Sequence, residues 1–418
     1  LLFVHGLPLI ALPYISVTLV FLVALRTRIS VAPPWLVTSS GMPEQNYERS
    51  RLARVRNGDV NSVPLLLPVF GQWQIYQGFD GEHTHKPPWQ HALDLYMTRD
   101  GKSFSGEGTA LEDFHCFGLP VLSPAHGQVV RVRDYLADNA PGDVDVKNNW
   151  GNFVLIRLES GLHVLLAHLR KDSIKAKEGD WIEPGRPLAA CGNSGRSPQP
   201  HLHLQVQRNA QLGSPTQPFH LCSLLRHREN GGSEYLVNAR PMHGETLEAA
   251  VVDPRLATPL HLPVGRQLSY RVEGPGLPRD TERSLQVELT LLGQFRLVSD
   301  TGASAAFEEN NGVLAFYDRQ GPGDTFLDIW LLANGLTPLS ENAVHWQDAP
   351  SAGLLPMGLW HRVLWGLLYP LGCGLDSRYH RTFTADEGLW RQRARHELHL
   401  GAWRLRAETE CLIDPEQG

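Results

Sequence analysis

The stretch Pro200-His201-Leu202-His203-Leu204-Gln205-Val206 decides how the chain is read. Apolar and polar residues alternate through it, which predicts a strand. On a strand, His201 and His203 share one face while Leu202 and Leu204 share the other. Two imidazoles side by side on a rigid element make a good part of a metal site, because neutral imidazole is the commonest protein ligand for zinc. A His-x-His pair taken alone is weak, since most such pairs are ordinary strand residues. Its meaning depends on what the rest of the chain brings to the same face.

From Val63 to about Pro218 the sequence reads as short strands joined by tight turns. Val121 to Val132 holds two apolar runs around Ala125-His126-Gly127. Phe153 to Leu158 and His163 to Leu166 flank Glu159-Ser160-Gly161, a hairpin signal. Gly179-Asp180 and Glu183-Pro184-Gly185 are further turns. No helical periodicity interrupts these runs, so the expected element is an antiparallel sheet, curled or sandwiched, of about 150 residues. Its strands and loops carry Glu82-His83-Thr84-His85, Gln90-His91-Ala92-Leu93-Asp94-Leu95, His163 through His168, and the small-residue loop Gly192-Asn193-Ser194-Gly195 that leads to His201 and His203. Two histidines and one carboxylate, with a water in the fourth position, make a catalytic zinc site. Further histidines beside it handle protons and charge.

The run resembles the zinc metallopeptidases of the lysostaphin and LytM type, the M23 peptidases, which cleave peptidoglycan cross-bridges. The resemblance covers roughly residues 68 to 207. It is carried by Gly118-Leu119-Pro120-Val121 through Ser123-Pro124-Ala125-His126-Gly127-Gln128-Val129-Val130, then Gly151-Asn152-Phe153-Val154-Leu155-Ile156 and Ala167-His168-Leu169. Gly179-Asp180, Pro184-Gly185, Gly192-Asn193-Ser194-Gly195 and Pro200-His201-Leu202-His203 follow in order. The resemblance implies an antiparallel β peptidase domain in which Asp94 and His203 hold zinc and His168 and His201 do catalytic work.

One position departs from the pattern. The usual first ligand is a His four residues before the Asp, where this chain has Gln90. His91 is three residues before Asp94, an offset that puts the two side chains on opposite faces of a strand unless it bulges. His83 and His85 precede Pro87-Pro88, which breaks the strand and lets the chain fold back. Some relatives carry an early His, and by that likeness His85 is the expected first ligand. His201 then accepts a proton from water, and His168 stabilises the oxyanion or passes the proton on, or the two exchange roles. Asn152 is expected to bind substrate, with a turn role as the equal alternative. His126 reads as a turn residue and His115 as a solvated loop residue. Trp89, Trp150 and Trp181 read as packing residues before walls of a groove.

The remaining sequence frames this part. Hydrophobic content of 42% and charged content of 20% describe a folded chain of 418 residues, and the net charge of -6 leaves no nucleic-acid footprint. The five cysteines (116, 191, 222, 373 and 411) show no CxxC spacing, which argues against a cysteine-based zinc knuckle. Residues 1–25 carry no Asp, Glu, Lys or Arg and are expected to form a transmembrane segment that tolerates Pro8 and Pro13. The chain starts with Leu, so an upstream piece is expected. Arg26 and Arg28 by themselves would mark the cytoplasmic side. Residues 26–62 read as a linker, 63–218 as the peptidase-like domain and 219–418 as a second β-rich domain. In that last part Ser284 to Val298 alternates as a strand, Val313 to Leu332 reads as a hairpin around Gly321-Pro322-Gly323, and the phase slip at Gly401 reads as a bulge. Met357 to Leu368 has helical spacing, and His396-Glu397-Leu398-His399 reads as strand.

Two functions from different classes fit. The first is a membrane-anchored zinc endopeptidase with its catalytic domain outside the cytoplasm, in the periplasm or cell envelope, cutting peptidoglycan cross-link peptides with a zinc-activated water. The second is an inactive scaffold of the same fold that recruits or activates another cell-wall hydrolase. A degenerate scaffold would lack a ligand or a catalytic histidine. Asp94, His168, His201 and His203 are all present, which favours the enzyme.

Overall fold

The computed structural model describes Phe3–Val4, Leu7–Pro8 and residues 62–228, 231–274, 281–291, 293–340, 344–356, 360, 365, 374–400 and 403–416. Strands β1 (Phe3–Val4) and β2 (Leu7–Pro8) pair antiparallel. The rest of the expected transmembrane segment, the linker before Ser62 and most of the expected helix Met357–Leu368 lie outside the described residues. Among the described residues no helix is long and apolar enough to cross a membrane. The chain divides into two compact units, Asn57–Val251 and Leu1–Arg56 with Val252–Gly418.

The first unit is made of strands because its apolar residues recur at every second position and its turns carry Gly, Pro and Asp. In chain order they are β3 (Val63–Leu66), β4 (Trp73–Gln77), β5 (Ala92–Tyr96), β6 (Pro120–Leu122), β7 (Gly127–Arg133), β8 (Asn152–Arg157) and β9 (His163–Leu169). There follow β10 (Trp181–Ile182), β11 (Pro187–Ala190), β12 (Leu202–Gln207), β13 (Thr216–Gln217), β14 (Phe219–His227), β15 (Ser233–Ala239) and β16 (Thr246–Ala249). The main sheet runs β10-β7-β8-β9-β12-β5-β4-β16-β14-β15, so β12 sits near its middle between β9 and β5. The hairpin expected around Glu159-Ser160-Gly161 is the β8–β9 pair. One face of the sheet is a continuous core with Leu93, Leu95, Val154, Ile156, Leu166, Leu202 and Leu204 fully buried. The opposite face carries Asp94, His203 and a smaller cluster of Phe153, Leu155, Leu165 and Ala167.

The boundary expected at 218/219 falls inside this unit. Leu221 and Leu224 of β14 and Leu247 of β16 belong to the same core as Leu93 and Leu204, and β14 pairs with both β3 and β16. No turn chemistry separates Pro218 from Phe219. The chain simply continues into a strand.

From Val252 the second unit runs through helix α1 (Pro254–Leu260) into an antiparallel meander. Its strands are β17 (Gln267–Val272), β18 (Thr281–Leu289), β19 (Phe295–Ser299), β20 (Ser304–Asn310), β21 (Val313–Gln320) and β22 (Leu336–Pro338). Helix α2 (Thr325–Asn334) lies between β21 and β22 in sequence. The hairpin expected over Val313–Leu332 is therefore a strand and a helix. Asp324 supplies the cap, its carboxylate accepting from the backbone N–H groups of Phe326 and Leu327. Strands β23 (Val344–Asp348), β24 (Leu375–Thr384), β25 (Leu389–Leu400) and β26 (Trp403–Ile413) form the last antiparallel set. Leu400 pairs with Trp403. The bulge expected at Gly401 lies outside the described residues.

His396 is completely buried on β25 between the hydroxyls of Ser377 (2.7 Å from Nδ1) and Thr409 (2.9 Å from Nε2). Burial pulls its pKa down to about 4, against the nearby Asp348. The unfolded chain takes up this proton near the ordinary value of 6.5 and the folded chain only near 4, so the unfolded state binds more protons between those values. Stability is therefore full above about pH 6.5 and falls as the pH drops towards 4, by at most roughly 3 kcal/mol from this group. His396→Gln should remove that component from denaturation midpoints measured between pH 7 and 4. An identical pH dependence in wild type and variant would exclude it.

Candidate metal centre

Strand pairing brings the first two groups together. In the β5–β12 ladder His203 stands directly opposite Asp94, and in the β12–β9 ladder it stands opposite Ala167. Paired residues share a face. His203 Nδ1 lies 2.7 Å from Asp94 Oδ1. The third group arrives on a loop. After β4 the chain passes through Gly78 and returns with His85, whose Nδ1 lies 2.8 Å from the Gly78 carbonyl and whose Nε2 lies 3.2 Å from Asp94 Oδ2. Gln77 ties the loop down. Its Nε2 donates to Asp94 Oδ2 (2.9 Å) and Thr84 Oγ1 (2.8 Å), and its Oε1 accepts from the N–H groups of His83 and Thr84.

His168 reaches the site through an irregularity. Phe153 pairs with Ala167 and Asn152 with Leu169, so His168 is the extra residue of a bulge, with a left-handed φ of 61°. An unbroken strand would send His168 to the core face beside Leu166. The extra residue turns it to the face of Ala167 and His203 instead. Its ring centre lies 4.8 Å from that of His201 and 5.8 Å from that of His203. His168 Nδ1 lies 2.8 Å from the Ser194 carbonyl. The loop carrying Ser194 packs onto Gly151, which has a left-handed φ of 58° and where a Cβ would collide with Ser194. His201 precedes β12, with Nδ1 2.9 Å from the Gln199 carbonyl and Nε2 3.8 Å from Asp94 Oδ1.

All five groups are buried. Burial pushes the Asp94 carboxyl up, yet His85, His203 and His201 outweigh it and hold it well below the usual carboxylate range. Burial pulls His85 down, but the Asp94 charge beside it leaves it raised overall. Burial, together with its imidazole neighbours His201 and His203, keeps His168 well below its ordinary value. Burial also lowers His201, with Asp94 opposing. His168 is therefore neutral at ordinary pH.

Of the other residues read from the sequence, His91 packs its ring against Phe79 on the far side of the strand. His83 is exposed beside Tyr76. His126 stacks on the exposed Trp181. Trp150 packs on His203 at 5.4 Å and so borders the site, while Trp89 packs behind it on Trp150 at 5.7 Å. Asn152, expected to bind substrate, is fully engaged inside the protein. Its Oδ1 accepts from Leu136 N, and its Nδ2 donates to the carbonyls of Leu136 and Leu169. No donor is left for a substrate. Gln77, and a glutamine beyond His203, were not singled out from the sequence, since an isolated Gln carries no motif.

Residues 110–215 match the model of peptidase family M23. The match spans His168, His201 and His203 and begins after Asp94. The resemblance read from the sequence thus holds over this stretch. An uncharacterized metalloprotease of Haemophilus influenzae is 33% identical over 98 residues, 23% of this chain and 18% of that protein. The peptidoglycan DD-endopeptidase ShyA of Vibrio cholerae is 25% identical over 152 residues, 36% of this chain and 29% of that protein. The chain therefore spans less than a third of either relative. The catalytic domain of lysostaphin from Staphylococcus simulans aligns at 18% identity and a TM-score of 0.23, over 36% of this chain and 88% of that domain.

The residues present fit a metal ion. One ligand atom each from His85, Asp94 and His203 lie within 4.8 Å of one another, and no other group of three or more His, Cys, Asp or Glu does so among the described residues. His85 Nε2 is fully buried without a hydrogen-bond partner, an atom that an ion would satisfy. The donor set of two imidazoles and one carboxylate suits zinc.

The engagement of Asn152 gives a prediction. Asn152→Ala should lower unfolding free energy by about 1–3 kcal/mol, because it removes the Asn152 partners of the Leu136 N–H and carbonyl and leaves the Leu169 carbonyl to Ser194 alone. Metal content should stay unchanged. A variant as stable as wild type but weaker in substrate affinity would restore the substrate-binding role.

Proposed function

We propose that this chain is a zinc metalloendopeptidase that hydrolyses peptide cross-links of peptidoglycan, with His85, Asp94 and His203 as zinc ligands. The observation that carries this reading is the convergence of those three buried groups beside two further buried histidines, His168 and His201. The match to family M23 supports the peptidase chemistry, and the named activity of the Vibrio cholerae relative supports the substrate class. On this reading the unit works outside the cytoplasm, where peptidoglycan lies. The uncharged run of residues 1–25 supports attachment to a membrane.

When bound, zinc would lower the pKa of a water and polarise the scissile carbonyl. The histidines supply the proton handling. His168 and His201 both direct Nδ1 at a backbone carbonyl, which only accepts, so the hydrogen sits on Nδ1 and each Nε2 is a proton acceptor. His201 Nε2 is the better base, because Asp94 at 3.8 Å stabilises the imidazolium that forms. His201 can then return that proton to the leaving amine. His168, neutral and beside His201, accepts a hydrogen bond and orients the attacking water. Trp150 covers His203 on one side.

The purified protein should hold one zinc per chain and release cleaved cross-link peptides from cell-wall sacculi. His203→Ala and His85→Ala should lose the metal, while His91→Ala should keep it. His168→Ala and His201→Ala should keep zinc and lose roughly 100-fold or more in activity. Zinc retained in His85→Ala, or coordination by His91, would overturn the ligand set. A zinc-loaded wild type that binds sacculi and cleaves nothing would establish the recruiting scaffold instead.

A further inference from the structure

Three of the four imidazoles around the centre present the same nitrogen. His85, His168 and His201 each turn Nδ1 to a backbone carbonyl, of Gly78, Ser194 and Gln199, at 2.8, 2.8 and 2.9 Å. A carbonyl oxygen can only accept, so each Nδ1 carries a hydrogen and Nε2 is the nitrogen left for the centre. His203 is turned the other way. Its Nδ1 faces Asp94 at 2.7 Å, and its Nε2 points away from the centre to Gln205 Oε1 at 3.0 Å.

No carbonyl fixes this fourth ring, but a chain of amides does. Gln205 Nε2 lies 3.0 Å from Gln207 Oε1, and Gln207 Nε2 lies 2.6 Å from the Asn209 carbonyl and 2.9 Å from the Gln211 carbonyl. Both glutamines are completely buried. The two carbonyls at the far end set the direction of the whole chain. They accept, so the Gln207 nitrogen must face them and its oxygen must face Gln205. Gln205 must then present its nitrogen to Gln207 and its oxygen to His203. Reversing any member would set two acceptors against each other in a buried place, where neither finds water. The last link follows: His203 Nε2 must donate, so it keeps its hydrogen, and Nδ1, turned to the Asp94 carboxylate at 2.7 Å, is the nitrogen whose hydrogen an ion would replace.

We infer that Gln205 and Gln207 are positioning residues that hold the hydrogen of His203 on Nε2 and so make Nδ1 the only atom of that ring able to bind a metal. This rests on the zinc reading for its consequence, though not for the placement of the hydrogen. The amide chain does for His203 what backbone carbonyls do for the other three rings. It also keeps the ring from flipping, because the flipped ring would lose both its partner on Gln205 and its place beside Asp94.

Nitrogen-15 spectra of histidine-labelled full-length protein test the placement directly. His203 Nε2 should show a protonated-type shift both without metal and with zinc, and its Nδ1 should be the nitrogen that moves on zinc addition. A lone-pair-type shift at Nε2, or Nε2 as the nitrogen that moves, would overturn the inference. Zinc competition against a chromophoric chelator tests the consequence. Gln205→Met, which deletes the acceptor, should weaken zinc binding about 10- to 100-fold, and Gln205→Glu, which keeps an acceptor at the same place, should restore it. Zinc held as tightly by Gln205→Met as by wild type would also count against it. A wild type that takes up no zinc would defeat the metal reading, while the metal-free spectrum would still decide where the hydrogen sits.

Discussion

The carboxylate of Asp94, buried in the middle of a sheet, is the constraint on which the site depends. An ionised carboxylate out of water is costly unless every face of it meets a donor or a positive charge. Here His203 is 2.7 Å away on the neighbouring strand, His85 is 3.2 Å away on a returning loop, and Gln77 donates from the opposite strand at 2.9 Å. Each neighbour demands something of the fold. The His203 contact needs β12 beside β5 in one register, since a slip by one residue would turn His203 into the core and Leu202 out to Asp94. The His85 contact needs the loop after β4 to turn back, and Gln77 secures it with three hydrogen bonds to His83 and Thr84. The same crowding leaves His85 Nε2 without a partner of its own. A structure that accepts one orphaned buried nitrogen beside one overcommitted carboxylate is arranged around a charge that both can share.

A regular sheet could not have gathered five groups in this way. Its period of two gives each strand a place at alternate residues only. The bulge at His168 breaks that period on β9, and another at Tyr76 breaks it on β4, letting Gln77 stand opposite Asp94. The left-handed His168 is a local strain that its surroundings hold in place. Asn152 and Ser194 clamp the backbone on either side of it: Asn152 bonds the Leu169 carbonyl, Ser194 Oγ donates to that same carbonyl, and the Ser194 carbonyl meets His168 Nδ1. Asn152 thus matters to the site from behind, through the backbone that positions His168, rather than by touching what binds there.

Much of this was legible in the sequence, and the limits have physical causes. Alternation put His203 and Asp94 each on a strand, because side-chain direction follows directly from the period, while their meeting at one centre came only from the resemblance. The exclusion of His91 by its odd offset from Asp94 rests on the same rule and agrees with its packing on Phe79. His85 was readable only through resemblance, since a loop that folds back leaves no periodic trace. The bulge at His168 was invisible for the same reason. The hairpin read at Val313–Leu332 missed the helix because Gly321-Pro322-Gly323 overshadowed Asp324, a cap whose signal lies in one residue. The unit boundary at 218 was misplaced because the run of turns before it ends with no change in composition, and only the shared core of Leu221, Leu224 and Leu247 reveals the continuation.

One feature of the site was written in the sequence in full, yet gains meaning only from direction. Residues 201, 203, 205 and 207 are His, His, Gln and Gln, the last three on one face of β12 by the two-residue period and His201 just before it. Neighbours on that face are close enough for side chains with terminal amides to bond end to end, as they do from Gln207 to Gln205 to His203. Periodicity thus predicts contact between these groups. It does not predict which end of each amide faces which, because the two ends of a glutamine are nearly equal in shape and opposite in hydrogen bonding. The turn at Asn209 and Gln211 breaks that symmetry by offering two carbonyls and no donor to Gln207. A choice made at the end of the strand is handed along it, residue by residue, to the imidazole opposite Asp94. The chemistry of the centre therefore depends on a turn that never touches it, through a chain in which each link has only one workable orientation.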